Sequence, residues 1–143
     1  MKYSDNLDYL IAAIIYLGTQ TDYWGRTPSG LSSELRLDKN KLTSVLESFQ
    51  GIFRRTEKKS ENGEYYFSLQ ARHAQREGSS TGDPRGCEAI QPLGNDRMRL
   101  VIDFVTLMAT QEQAVLVNRR SNFTATICAV IAAGAALYAT FHK

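Results

Sequence analysis

The chain has 143 residues, of which 43% are hydrophobic and 22% are charged, and its formal net charge is +2. This composition excludes wholesale disorder, a collagen-like or coiled-coil protein, and a domain that depends on disulfide bonds. Because 17 Lys and Arg nearly cancel 15 Asp and Glu, no whole-molecule basic field indicates a nucleic-acid partner. The length predicts one domain of ordinary size, or a smaller domain with an appendage.

The first predicted element is an amphipathic helix near the N-terminus. Five apolar residues recur there at helical spacing: Leu7, Leu10, Ile11, Ile14 and Leu17. Ser4 or Asp5 can cap the start of this helix, and Gly18 can close its end.

Two shorter helices are predicted next. Thr27 followed by Pro28 gives a cap and a proline at the first helical position, which starts the second helix. Asp38 caps the third helix, and Gly51 ends it. The apolar positions of the two helices are Leu31 and Leu35 in the second, and Leu42, Val45, Leu46 and Phe49 in the third.

A β-hairpin follows the third helix. Residues 52–59 and 65–69 flank Asn62-Gly63, a two-residue hairpin signal in which both positions tolerate positive φ. In the second strand Tyr65, Phe67 and Leu69 alternate with more polar neighbours, so one face can close over the helices.

This order of elements resembles the winged helix-turn-helix superfamily. The resemblance covers residues 7–72 and rests on the element order and on the turn within residues 29–42. It implies a mainly α fold with a small β-hairpin, a recognition helix at 39–49 for a major groove, and a wing at 58–64 that touches the nucleic-acid backbone.

The resemblance implies a set of nucleic-acid-binding residues. Basic side chains can neutralise phosphates and polar ones can reach base edges: Arg36, Lys39, Asn40, Lys41, Thr43, Ser44, Arg54, Arg55, Lys58 and Lys59. Four acids lie among them, at Glu47, Glu57, Glu61 and Glu64. Because winged helices also bind proteins, a docking or dimerisation domain is the alternative.

Residues 73–95 are predicted to be a flexible linker, since turn formers dominate 77–86 without apolar periodicity. A long ordered loop is the alternative. Cys87 in this segment and Cys128 near the C-terminus have neither a plausible pairing nor a metal-type spacing, which indicates reduced thiols.

Residues 96–120 are predicted to form an amphipathic juxtamembrane helix. Two apolar lines run along it, one through Met98, Val101, Val105 and Met108 and one through Leu100, Phe104 and Leu107. Since a helix that is apolar on more than one side needs neighbours, we expect it to pack against itself in an oligomer or against the membrane surface.

Residues 121–143 are predicted to cross the membrane as a C-terminal tail anchor. Residues 121–141 carry no charge, and the stretch from 123 to 141 spans about 28 Å as a helix, close to the roughly 30 Å hydrocarbon core. Arg119 and Arg120 place its N-terminal side in the cytoplasm. A buried alanine-rich core helix is the alternative.

Small residues in this tail predict close packing between transmembrane helices. The expected contact positions are Ala125, Ala129, Ala133, Gly134 and Ala136. Only His142 and Lys143 follow the apolar stretch, so the topology puts any sensing on the cytoplasmic side.

The sequence contains no Ser/His/Asp, Cys/His, metal-ligand or Gly-rich phosphate constellation, so we expect neither an enzyme nor a cofactor or metal site. The architecture looks like small membrane effectors of bacterial anti-phage, abortive-infection systems. That likeness implies an inner-membrane protein with a cytoplasmic winged helix that binds DNA, an oligonucleotide or a protein partner. Oligomerisation in the lipid would then alter membrane integrity.

Two other functions stay open. The first is a membrane-tethered transcription regulator, in which the winged helix reads duplex DNA and the tail fixes it at the membrane. The second is a non-catalytic membrane adaptor, in which the winged helix docks a protein.

Overall fold

The computed structural model describes residues 1–76 and 92–141, without the side chains of 74–76 and 120–141. Its elements, in chain order, are a 3-10 turn Ser4–Asn6, α1 Leu7–Thr19, α2 Pro28–Leu35, α3 Lys39–Ser48, β1 Phe53–Lys59, β2 Tyr65–Leu69, α4 Gln70–Arg76 and α5 Asn95–Phe141. The prediction of a mainly helical chain with one antiparallel hairpin in winged-helix order is confirmed.

The caps predicted for α2 and α3 are confirmed. The Gly30 N–H donates to Thr27 Oγ1 at 3.2 Å, with Pro28 at the first helical position. The Lys41 N–H donates to Asp38 Oδ1 at 2.7 Å. Each cap satisfies a backbone donor that the first helical turn leaves free, which is worth about 1 kcal/mol. Helix α3 ends at Ser48, just before the predicted stop at Gly51.

The cap predicted for α1 is wrong. Ser4 and Asp5 belong to the short 3-10 turn, and Asn6 precedes α1 without a side-chain cap bond. Its amide instead donates to the Lys2 carbonyl at 2.8 Å. The chain before α1 is therefore held by a local turn rather than by a capping hydroxyl or carboxylate.

The hairpin is confirmed, but its turn is longer than predicted. The Ser60 N–H donates to the Glu64 carbonyl at 2.8 Å, and the Gly63 N–H donates to the Ser60 carbonyl at 2.9 Å. Within this turn only Gly63 has a positive φ, of 77°, so Asn62 does not share the left-handed region. Three residues, 61–63, therefore close the loop, with glycine at the position where a side chain would be strained.

An isolated antiparallel β-bridge, which the sequence did not predict, joins the loop between α1 and α2 to β2. Arg26 and Phe67 exchange backbone hydrogen bonds of 2.9 and 2.8 Å. A Cβ on Gly25 would lie 2.8 Å from the Phe67 carbonyl oxygen, so only glycine allows this approach without a shift. The bridge fixes the loop between α1 and α2 on the hairpin.

The hydrophobic core lies around α1. Its buried side chains come from every major element of the winged helix and from α5: Leu10, Ala13, Ile14, Leu17, Leu31, Leu42, Val45, Leu46, Phe49, Ile52, Phe53, Phe67, Leu69, Leu93 and Val105. Tyr3 stacks edge-on against Phe49, with ring centroids 4.7 Å apart, and contacts Phe104 at 6.3 Å. The N-terminal segment thus joins α3 to α5.

Gly18 does not terminate α1, which continues to Thr19. It lies where α5 approaches α1, and a Cβ at this position would overlap the Met98 methyl group. The Leu93 N–H also donates to the Gly18 carbonyl at 2.8 Å. The glycine is therefore required by packing between helices and not by a C-cap.

Helix α5 begins as part of the folded domain. Val105 and Ala109 are buried on the side that faces α1 and the N-terminal turn, and the Ser4 N–H donates to Glu112 Oε2 at 2.9 Å. The expectation that this region packs only in an oligomer or on a membrane is therefore wrong for one of its two apolar lines. Leu100, Phe104 and Leu107 are at least 49% exposed.

The predicted juxtamembrane and transmembrane segments form one uninterrupted backbone helix from Asn95 to Phe141. At 1.5 Å per residue this helix is about 70 Å long. Its first half, Asn95–Arg119, is long and apolar enough to cross a membrane. Because part of that half is packed against α1, we place the membrane-spanning prediction on residues 121–141, whose side chains are outside the description.

Both ends of the predicted linker are ordered. The helix α4 extends through residues 73–76, and Leu93 is buried in the core. The Arg72 guanidinium, 3% exposed, donates to the Leu17 carbonyl at 2.7 Å and so joins the start of α4 to α1. The interior of the predicted linker, including Cys87, lies outside the described residues, as do His142 and Lys143.

The Gly18–Met98 contact gives a stability prediction. We expect Gly18→Ala to lower the free energy of unfolding by about 1–2 kcal/mol, because overpacking outweighs the gain in helix propensity. Gly51→Ala is the matched control, since a Cβ there meets nothing within 4 Å. Urea unfolding of both variants, and of Gly18→Ala with Met98→Ala, measures the coupling. Equal stability of the two single variants would contradict the packing argument.

Candidate nucleic-acid interface

The outer face of α3 and the hairpin enclose an open cleft of about 430 Å³. The hairpin β1–β2 is called the wing below. Helix α3 contributes Lys39, Asn40, Thr43, Ser44 and Glu47 to this α3–wing cleft, and the wing contributes Glu64, Tyr65 and Phe67. Most of the residues predicted on the recognition helix therefore share one concave surface.

The burial pattern of α3 explains this placement. Leu42, Val45 and Leu46 are fully buried against the core, so the positions between them face outward. Lys41 lies outside the cleft, because its ammonium group is 4.5 Å from the centre of the Tyr9 ring on α1. Arg36 is exposed at the end of α2, where its φ of 53° closes the helix.

The hydroxyl groups on α3 have a defined direction of hydrogen bonding. Thr43 Oγ1 donates to the Lys39 carbonyl at 2.8 Å, and Ser44 Oγ donates to the Asn40 carbonyl at 3.0 Å. Because each hydroxyl donates its only proton to the helix backbone, it can only accept hydrogen bonds from a ligand in the cleft. Such acceptors suit the amino groups of cytosine and adenine, whereas the exposed Asn40 amide can both donate and accept.

Glu64 joins the wing to two helices. Its carboxylate accepts from Lys39 Nζ at 2.5 Å, from Ser29 Oγ at 2.6 Å and from the Ser29 N–H at 3.2 Å. We call this set of contacts the Glu64 latch. It draws together the tip of the wing, the first turn of α2 and the first turn of α3.

The latch lowers the pKa of the Glu64 carboxyl to about 2. The hydrogen bonds from Lys39 and Ser29 favour the charged form, and they outweigh the burial that opposes it. The group is therefore ionised at every physiological pH, and the Lys39 charge is compensated from within the protein.

The basic residues of the wing lie on different faces of the hairpin. The Arg55 guanidinium and the Lys59 ammonium lie 4.5 and 4.8 Å from the centre of the Tyr65 ring, on the cleft side. Arg54 turns the other way, with Nη1 3.5 Å from His73 Nδ1. Lys58 is exposed near the wing tip. Arg55 and Lys59 thus lie beside the cleft, next to Tyr65, whereas Arg54 lies beside His73 and away from the cleft.

Sequence reasoning missed Ser29 and the role of Glu64. In the sequence Glu64 is one of several acids that oppose nucleic-acid binding, and its pairing with Lys39 depends on how the hairpin folds back. The one local signal was the serine directly after Thr27-Pro28, because it places a hydroxyl and a free N–H at a helix start.

No family model matches the chain, and no curated protein matches it. Among solved structures, the chain is similar to a MarR family regulator from Neisseria meningitidis, with 19% identity and a TM-score of 0.36. The match covers 77% of this chain and 79% of that one. At this TM-score the likeness assigns neither a family nor a function to the chain.

The low pKa of Glu64 predicts a pH-dependent contribution to stability. The contribution is present above the unfolded-state pKa of about 4.3 and is lost as the pH falls toward 2. We expect Glu64→Gln to lower the free energy of unfolding by about 1–2 kcal/mol at pH 7, less than the full shift implies because Lys39 is half exposed. Urea unfolding from pH 7 to pH 2 should show the difference shrinking. A difference independent of pH would contradict the latch.

Proposed function

We propose that this chain is a winged-helix regulator that binds duplex DNA through the α3–wing cleft and carries α5 as an arm toward the membrane. The observation that carries the proposal is the cleft itself. Polar side chains able to read bases line its α3 side, and two cations able to bind phosphates, Arg55 and Lys59, lie against Tyr65 at its wing edge.

The residues in and around the cleft form two chemical groups, one suited to base edges and one suited to phosphates. Asn40, Thr43 and Ser44 offer an amide and two hydroxyl acceptors at the centre of the cleft, where base edges would lie. The exposed cations around it suit phosphates: Arg36, Arg55, Lys58 and Lys59. Arg54, which faces His73, has no place in this interface.

The small net charge of the chain is compatible with this role. Affinity for DNA depends on the cations that meet phosphates, rather than on the sum over the molecule. Four exposed cations would give a log–log salt slope no steeper than about −3.6 for B-form DNA. We therefore expect modest, salt-sensitive binding.

The two neighbouring arginines of β1 provide a matched test. We expect Arg55→Ala to weaken binding to a random 20-base-pair duplex by about threefold to tenfold, and to make the salt slope shallower by about 1. Arg54→Ala removes the same charge one residue away and should change affinity by less than about twofold. Fluorescence anisotropy at several salt concentrations measures both. Equal losses, or no binding by the wild-type chain, would contradict the proposed interface.

A membrane effector is the second candidate, and α5 is the observation that favours it. The helix continues to Phe141, well beyond the hydrogen bond that joins Glu112 to the N-terminal turn. One apolar line of its docked half stays exposed. In this candidate, copies of the chain associate through α5 and through the predicted packing positions 125–136, and binding in the cytoplasm alters membrane integrity.

Self-association through α5 has its own test. We expect the full-length chain in detergent to exceed the monomer mass, and Leu100→Ser with Leu107→Ser to reduce that mass, because both side chains are more than half exposed. Gln113→Ser, at an exposed position away from this line, is the control. Light scattering measures the mass. A monomeric wild-type chain, or quantitative release of the chain from membranes by carbonate, would count against the effector.

A membrane adaptor is the remaining alternative. Recovery of a single stoichiometric protein partner, together with no measurable affinity for nucleic acid, would select it over both other functions.

A further inference from the structure

The Glu64 latch places an anion in the same cleft that is proposed to bind DNA phosphates. The three groups that hold the carboxylate are an ammonium, a hydroxyl and a backbone N–H at a helix start. These are the donors that bind phosphate in proteins, and they come from two different helices. The carboxylate seated among them shows that the three donors converge on one anion.

We propose that Glu64 is an autoinhibitory residue, which competes with a DNA phosphate for Lys39 and Ser29. The inference rests on the proposed function, because it concerns the same cleft. In the latched state Lys39 is neutralised, and the anion position at the starts of α2 and α3 is already filled. A phosphate can use these donors only after the Glu64 side chain leaves.

The position of Glu64 suits such an exchange. It follows Gly63 directly, at the end of the exposed turn 61–63, so a change in this turn can withdraw the side chain without disturbing the core. Its exposed fraction is 19%, and that of Lys39 is 51%, so solvent and a ligand can reach the pair. The other cleft acid, Glu47, lies one turn further along α3 than Thr43 and Ser44.

The latch also affects which DNA is bound. On a duplex that offers no favourable base contacts, nothing offsets the free energy of opening the latch. Only the wing cations and Arg36 then bind phosphates. Where Asn40, Thr43 and Ser44 find complementary base edges, their contacts offset that cost. Glu64 therefore lowers affinity for DNA in general and increases the share of binding that depends on sequence.

The test compares Glu64→Gln with the wild-type full-length chain on a random 20-base-pair duplex. Freeing Lys39 adds one phosphate contact, so the log–log salt slope should become more negative by about 0.9. We expect affinity at 50 mM salt to rise by about threefold to tenfold, and the gain to shrink by about 3.5-fold at 200 mM salt.

Glu61→Gln is the matched control, because it removes one exposed carboxylate from the same turn. It should change affinity by less than about twofold and leave the slope unchanged. In a Lys39→Ala background the Glu64→Gln gain should vanish. Glu64→Asp keeps the charge but shortens the side chain, so a smaller gain in the same direction is expected even where Glu64→Gln does not fold.

Three outcomes distinguish the autoinhibitory role of Glu64 from the proposed DNA-binding function. Tighter binding by Glu64→Gln with a steeper slope, absent in Glu61→Gln, supports the latch. Binding by the wild-type chain that Glu64→Gln leaves equal or weakens overturns the latch and leaves the proposed function standing. Absence of binding by the wild-type chain and by every variant overturns the proposed function, and the latch with it.

Discussion

Helix α1 packs against two separate groups of elements, and the close approach at Gly18 makes this possible. On one side it contacts α2, α3 and β2, and on another it contacts α5 and the N-terminal turn. The missing side chain at Gly18 leaves room for Met98, and its carbonyl accepts from Leu93, so α5 enters the core where a larger residue would keep it away. The winged helix and the first part of α5 are thus one folded unit, and any event at the cleft occurs in a domain already joined to the helix that carries the predicted membrane span.

The electrostatics of the cleft follow from how the wing folds back. Glu64 neutralises Lys39 and ties the wing tip to the starts of α2 and α3, while Arg55 and Lys59 gather around Tyr65. The near balance of charge along the sequence therefore does not describe the binding surface. On α3, Lys39 is paired with Glu64 and Lys41 is turned toward Tyr9. Arg36 and the wing carry the cations that remain open to a phosphate.

Features that depend on neighbours in the sequence could be predicted, and features that depend on distant neighbours could not. The caps at Thr27 and Asp38 and the wing itself are local, because a cap or a turn is determined within a few residues. Gly18 read locally as a helix stop, but its role is set by Met98, eighty residues away along the chain. Gly25, Ser29 and Glu64 were missed for the same reason, since each meets its partner only after the hairpin closes. The apolar periodicity of α5 correctly predicts that this helix packs against other elements. It could not show that one of these elements is α1.

The most direct test of the account is amide hydrogen–deuterium exchange of the full-length chain in detergent, with and without duplex DNA. On binding we expect slower exchange in α3, at residues 39–48, and in the strands of the wing, with little change at residues 100–112 of α5. Slower exchange confined to α5, or no change anywhere at saturating DNA, would contradict the claim that the α3–wing cleft is the nucleic-acid interface.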